Sequence, residues 1–166
     1  MNPTFTEIQK FNKWWMYILF SAPFLFVSFS FLLVQLNLIV PKGEEKSPIE
    51  IIIILIFCLL FLTWGISTSL ITQINEKGIS AQFKGIPFCK KQFLWDEIQS
   101  INVIEYSPLA DYGGWGVRYS LTKNGWCYNI SGKIGIKIIG INHKPFLIGT
   151  QQKEEAEKII KHYFNK

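Results

Sequence analysis

The sequence predicts a membrane α-helical hairpin followed by an all-β antiparallel barrel with a C-terminal capping helix. Three observations carry this: two long apolar runs without charge near the N-terminus, a series of short glycine-punctuated apolar segments over residues 70–149, and an amphipathic tail. Of the 166 residues 49% are hydrophobic and 17% charged, with a mean hydropathy of +0.21. Soluble domains carry about one quarter charged residues, so a purely soluble globule is excluded, and the length suits one compact domain plus a membrane element.

The first run, Trp14 to Val40, contains no Asp, Glu, Lys or Arg. At about 1.5 Å per residue such a helix exceeds the hydrocarbon core, so it spans with tilt. Pro23 lies inside it as a site for a kink, and Ser21, Ser28, Ser30, Gln35 and Asn37 are polar positions expected to face a partner helix. A cleaved signal peptide fits poorly, since the run is too long for an h-region and Ser21-Ala22-Pro23 is a poor cleavage site. The second run starts at Ile51 and stays uncharged until Glu76, with the helix giving way to strand near Ser67-Thr68-Ser69. Domain boundaries follow: a cytoplasmic N-terminal segment 1–13, a two-helix hairpin 14–68 with spans of about 14–40 and 49–68 and an outer loop 41–48, and a β domain 69–166 ending in a helix 151–164.

Thirteen Lys or Arg residues follow the second span, against Lys10 and Lys13 before the first and Lys42 and Lys46 in the loop. The positive-inside rule therefore places both ends in the cytoplasm, in a multi-pass protein of the inner (plasma) membrane. Phe11, Trp14, Trp15 and Tyr17 form an aromatic belt where the first span begins. Cys58, Cys89 and Cys127 have no CxxC spacing, and with only His143 and His162 neither a disulfide framework nor a zinc site is indicated.

Eight strand segments are readable in the β domain: 70–75, 79–83, 88–94, 98–106, 117–121, 126–130, 134–139 and 145–149, of which about seven are expected to form. Glu76-Lys77-Gly78 marks a hairpin turn between the first two. In the tail, Thr150 is a candidate cap, acidic residues precede basic ones, and Ala156, Ile159, Ile160, Tyr163 and Phe164 recur at spacings of three and four.

This order, together with Ile74 to Ala81, Trp95-Asp-Glu-Ile98, Asp111-Tyr-Gly-Gly-Trp-Gly-Val-Arg118 and Leu147-Ile-Gly-Thr150, resembles the bacterial pleckstrin-homology-like (PH-like) membrane proteins over residues 14 to 164. The resemblance implies a PH-like barrel with a helix capping one open end, and it brings no catalytic residues. The Lys-rich first hairpin loop of lipid-binding members is reduced here to Lys77, with Lys84 after the next strand.

Two residue groups are candidates for function. In the block Asp111–Arg118, three glycines within four residues permit close backbone approach and leave Tyr112 and Trp115 projecting as a candidate partner surface with Asp111 and Arg118, Tyr112 being the better candidate for contact and Trp115 expected to be structural. The bland alternative is a bulged strand start with Trp115 in the core and Asp111 paired to Arg118. Lys84, Lys90 and Lys91 form a basic patch for contact with anionic headgroups, or simply a solvated strand face. Asp96 and Glu97, adjacent in sequence, do not make an acid–base pair, and no nucleophile motif is present, so no enzyme, cofactor or metal is expected. Nucleic acid is also excluded, since eight acidic residues accompany the thirteen basic ones after the second span and leave a spread +5. The expected function is a membrane-anchored PH-like docking domain for a protein or peptide, alternatively a sensor of anionic lipid or a small ligand.

Overall fold

The computed structural model describes residues 2–36, 38, 47–120, 124–141 and 144–164, with the backbone alone at Trp15 and Pro48. The chain forms two units, one of Phe11–Ser67 and one that joins Met1–Lys10 to Thr68–Lys166.

The first is a helical hairpin. Helix α1 (Trp14–Gln35) runs through Pro23 without interruption, and α2 (Pro48–Ser67) starts on Ser47, whose Oγ accepts the Glu50 N–H at 3.3 Å with Pro48 at the first helical position. Segments Met16–Gln35 and Ile49–Ser67 are long and apolar enough to cross a membrane. Ser21, Ser30 and Thr63 donate their hydroxyls to Ile18, Phe26 and Leu60 carbonyls of their own helices, at 3.1, 2.8 and 2.9 Å. The two serines thus serve their own backbone rather than the expected neighbouring helix. The helices meet where Gly65 lies against the Phe20 ring, at 2.7 Å from where a Cβ would stand, and Phe20 stacks edge-on to Phe61 at 5.9 Å. Most large apolar side chains elsewhere on the helices, Phe26 and Phe57 among them, remain exposed. The expected continuation of the first span through 39–40, and positions 41–46 of the loop, lie outside the described residues, as do Leu121 and His143.

The second unit contains nine strands among the described residues, in two sheets. Strands β1 (Phe5–Lys10), β2 (Ser69–Asn75), β3 (Gly78–Lys84) and β4 (Lys90–Leu94) form an antiparallel sheet in that order. After a single 3-10 turn at Trp95–Glu97 come β5 (Ile98–Glu105), the short helix α3 (Pro108–Tyr112), β6 (Gly116–Tyr119), β7 (Trp126–Asn129), β8 (Ile134–Gly140), β9 (Phe146–Gly149) and helix α4 (Lys153–Phe164). The second sheet has the order β5-β8-β9-β7-β6.

Three expectations are corrected here. Among the described residues no closed barrel forms: β4 and β5 end separate sheets, and β7 pairs parallel to β9, so the second sheet is mixed. All eight expected strands are present, rather than about seven. A ninth, β1, occupies part of the segment expected only as an N-terminal stretch. It pairs along its whole length with β2, from Phe5 opposite Ile74 to Lys10 opposite Ser69. Its alternation is mixed: Phe5, Glu7 and Gln9 are buried while Ile8 is exposed, so an apolar-inward pattern does not reveal it.

The sheets pack face to face through aromatic rings, Phe83 of β3 against Tyr128 of β7 at 5.5 Å and Phe93 of β4 against Phe146 of β9 at 5.4 Å. Helix α4 buries Ala156, Ile159 and Ile160 and stacks Tyr163 on Trp95 at 5.8 Å. The helix starts at Lys153, with the Gln152 carbonyl accepting the Ala156 N–H at 3.0 Å, while the Thr150 hydroxyl donates to Glu7 at 2.6 Å and accepts the Gln152 N–H at 3.1 Å. Glu7 also accepts the Gln151 N–H at 2.8 Å, and Gln9 Nε2 donates to the Gly149 carbonyl at 2.7 Å. The strand before the hairpin is thereby tied to the segment that leads into the last helix.

Candidate functional site

The block Asp111–Arg118 begins in α3, whose capping signals are local. Ser107 Oγ accepts the Ala110 N–H at 3.4 Å, Pro108 fills the first position, and Asp111 Oδ2 accepts the Ser107 N–H at 2.7 Å. The helix stops at Gly113, which is left-handed at φ 71°; Gly113 and Gly114 N–H groups return to the Leu109 and Pro108 carbonyls. Asp111 therefore serves its own helix. Arg118, which is exposed, donates from Nε to the Trp115 carbonyl at 2.8 Å, and among the described residues no ion pair joins it to Asp111.

Tyr112 does not project. It is buried, 6% exposed, its hydroxyl donating to the Asn124 carbonyl at 3.3 Å and its ring edge-on to Tyr106 at 5.9 Å. Tyr106, Tyr112, Cys127 and Leu147 form one apolar cluster, on which Ile104 packs. Burial pushes the hydroxyls of Tyr106 and Tyr112 and the thiol of Cys127 well above their ordinary values. The expectation of a projecting Tyr112 fails because the last turn of α3 aims it inward. Trp115 is partly buried, between the two roles foreseen for it.

The residue that organises the block is one that motif reading passed over. Asn129, fully buried in β7, accepts the Gly116 N–H at 2.9 Å and donates to the Tyr106 hydroxyl at 2.9 Å and to the Gly114 carbonyl at 3.5 Å. A buried amide satisfied on three sides fixes the loop to the sheet. No local pattern in Trp126–Asn129 marks it, since its partners lie 13 to 23 residues earlier.

Beyond Gly116 the block becomes β6, which among the described residues is the edge of the second sheet and pairs only with β7. Ser120 N–H bonds back to the Gly125 carbonyl at 2.8 Å. By the alternation of an antiparallel ladder, Arg118 then faces its partner strand with its backbone groups, and Val117 and Tyr119 turn theirs outward. The outer surface here carries Tyr119 edge-on to Trp126 at 5.0 Å, both rings half exposed, with Lys144 Nζ donating to the Tyr119 hydroxyl at 2.9 Å. That bond raises the Lys144 pKa.

The lysine patch is at the other sheet. Lys84 ends β3 and Lys90 and Lys91 begin β4; all three are exposed, and Lys91 lies 5.3 Å over the Phe93 ring. A groove of about 400 Å³ between β5 and α4, lined by Ser100, Asn102, Glu157 and Lys161 among others, touches neither group. Among the described residues no three His, Cys, Asp or Glu side chains are grouped to hold a metal. Asp96 and Glu97 are both exposed in the 3-10 turn, where Glu97 accepts the Leu94 N–H at 3.1 Å. No protein-family model, no curated protein and no solved structure matches the chain.

Proposed function

We propose that the chain is an integral protein of the inner (plasma) membrane whose PH-like β domain docks a protein or an extended peptide on the cytoplasmic side. The reading assigns neither catalysis nor a cofactor. The observation that carries it is the open edge of β6. Val117 and Tyr119 present outward backbone donors and acceptors there, flanked by Arg118 and the Tyr119–Trp126 rings, an arrangement suited to strand addition. Membrane insertion is supported by the two apolar helices. Placement of both flanks on one side is supported by the pairing of β1, before the hairpin, with β2, after it. The cytoplasmic assignment rests on the basic residues that follow the second span. The element order and the C-terminal helix packed beside β1, β2 and β5 support the PH-like architecture.

A photo-crosslinking residue in place of Val117, in full-length protein in its native membrane, tests the docking edge. The account expects one discrete protein adduct that disappears with Arg118→Glu or Tyr119→Pro while both variants keep their thermal stability. An absence of adducts, or an adduct indifferent to both changes, refutes the docking edge. The alternative function, sensing of anionic lipid or a small ligand, is favoured by one observation. The β3–β4 hairpin carries Lys84, Lys90 and Lys91 and has no Asp or Glu from Gly78 to Leu94.

A further inference from the structure

The turn between β3 and β4 has a feature that neither sheet packing nor the docking edge uses. Phe88 is fully exposed, 101% relative to an extended reference, and sits at φ 61°, the one non-glycine residue with positive φ among those described. A bulky side chain gains nothing from that backbone region, and an aromatic ring gains nothing from full exposure to water. Pro87 beside it is exposed as well. The turn thus holds an apolar tip, Pro87-Phe88, away from the domain it belongs to.

Register shows which end of the sheet this is. Ser69 pairs with Lys10 on one side and with Lys84 on the other, so the turn after Lys84 leaves the sheet at the end where β1 finishes and β2 starts. Those are the two points where the chain passes into the helices, α1 beginning at Trp14 and α2 ending at Ser67. The turn also rests on the first residue after α2: a Cβ on Gly85 would stand 3.1 Å from the Thr68 Oγ1. Chain connectivity alone therefore keeps Phe88 within a few residues' reach of the point where the second span ends.

Charge matches the surface expected there. The exposed Lys84 and Lys90 bracket the tip, Lys91 follows, and no carboxylate lies between Gly78 and Leu94. Lysines near an anionic leaflet each strengthen attachment about fivefold, and an aromatic ring settles at the headgroup boundary.

We propose that the β3–β4 turn is a membrane-insertion tip: Phe88 and Pro87 enter the headgroup region of the same bilayer that the hairpin crosses, and Lys84, Lys90 and Lys91 bind its anionic headgroups. This deepens the reading of a membrane-spanning hairpin and rests on it. The tip gives the β domain a third attachment beside its two covalent ones.

The test uses full-length protein reconstituted into vesicles of neutral phosphatidylcholine, with or without anionic phosphatidylglycerol, and lipids carrying a spin-label quencher. An environment-sensitive fluorophore is attached at one position at a time in a Cys58→Ala, Cys89→Ser background: Phe88→Cys for the tip, Lys77→Cys for the opposite β2–β3 turn, and Phe57→Cys for the middle of α2. The proposal expects shallow quenchers to dim position 88 about twofold more than position 77, the difference growing with phosphatidylglycerol and falling with added salt. With Lys84, Lys90 and Lys91 all changed to Glu, the dependence on phosphatidylglycerol should vanish. Quenching at 57 by deep quenchers with none at 88 overturns the insertion tip and leaves the hairpin reading intact. Absence of quenching at 57 removes the hairpin reading itself. Protection of 88 from lipid together with crosslinking of 88 to a second copy also overturns the tip, by assigning Phe88 to a protein contact.

Discussion

Glu7 is the sharpest test of how the first ten residues join the β domain. Its side chain is 4% exposed, and its two oxygens accept the Thr150 hydroxyl at 2.6 Å and the Gln151 N–H at 2.8 Å. Glu7→Ala removes both bonds. Thr150 Oγ1 keeps the Gln152 N–H as donor, but its own proton and the Gln151 N–H lose their acceptor. At about 1–1.5 kcal/mol for each bond, with a further contribution from the space vacated, the expected cost is about 3 kcal/mol. For a β unit of this size each kcal/mol lowers the melting temperature by about 4–8 °C, so the loss should be on the order of 15 °C. Glu7→Gln, which keeps one acceptor oxygen in place, should lose less than half as much. The assay is thermal unfolding of full-length protein in mild detergent, followed by near-ultraviolet circular dichroism, which reads the packed aromatic rings of the chain, the Phe83–Tyr128 and Phe93–Phe146 contacts between the sheets among them. A Glu7→Ala protein melting within about 2 °C of the parent would show that the Glu7 bonds to Thr150 and Gln151 contribute nothing to the domain, contrary to their burial.

Three further predictions follow from the site. Asn129→Ala strips the acceptor from Gly116 N–H and the donor from the Tyr106 hydroxyl and should cost about 3 kcal/mol, whereas Asn129→Asp should restore the Gly116 bond and part of the loss; chemical denaturation measures both. Tyr112→Ala should open a cavity and cost about 3–5 kcal/mol, while Arg118→Ala, whose side chain is exposed, should stay within about 0.5 kcal/mol, so melting separates the inward residue from the outward one. Tyr106 and Tyr112 hold their protons more tightly folded than unfolded, where the ordinary value is 10.0. The unfolded chain then loses these protons first as the pH rises, so the tyrosines' contribution to stability, constant below pH 10, should fall above it. Phenolate absorbance should lag behind that of free tyrosine until the protein unfolds, and a simple titration with all tyrosines ionising together would contradict the burial.

How far the sequence reached depends on the range of the interactions. Apolar runs, the Glu76-Lys77-Gly78 turn and the four-residue recurrence in the tail are local signals, and they locate α1, α2, the β2–β3 hairpin and α4. Sheet closure is not local. Nothing in Trp126–Asn129 or Phe146–Gly149 announces that these strands run parallel, and that pairing makes the second sheet mixed where a single antiparallel barrel was expected. β1 escaped for a different reason: two of its three inward positions are polar, since Glu7 and Gln9 bond to Thr150, Gln151 and Gly149, some 140 residues away. Helix α3 was legible in principle, since Ser107-Pro108 with Asp111 is a start signal, but five residues are too short to show a periodicity. In the glycine block the unusual residues were identified, while the direction of Tyr112 depended on that short helix and the anchor, Asn129, lay outside the motif.

The central claim is that the hairpin crosses the membrane and leaves β1 and the rest of the β domain together on its cytoplasmic side. Cys127 cannot report this, being fully buried with its thiol pKa pushed up by burial, so it resists labelling wherever it lies. Single cysteines at the exposed positions Thr6 and Lys77, and at Glu45 between the spans, in a Cys58→Ala, Cys89→Ser background, can be probed in intact cells with a membrane-impermeant maleimide. The account predicts labelling at 45 from outside, and labelling at 6 and 77 only after the cells are opened. Labelling of 6 or 77 in intact cells, or labelling that separates 6 from 77, would contradict it.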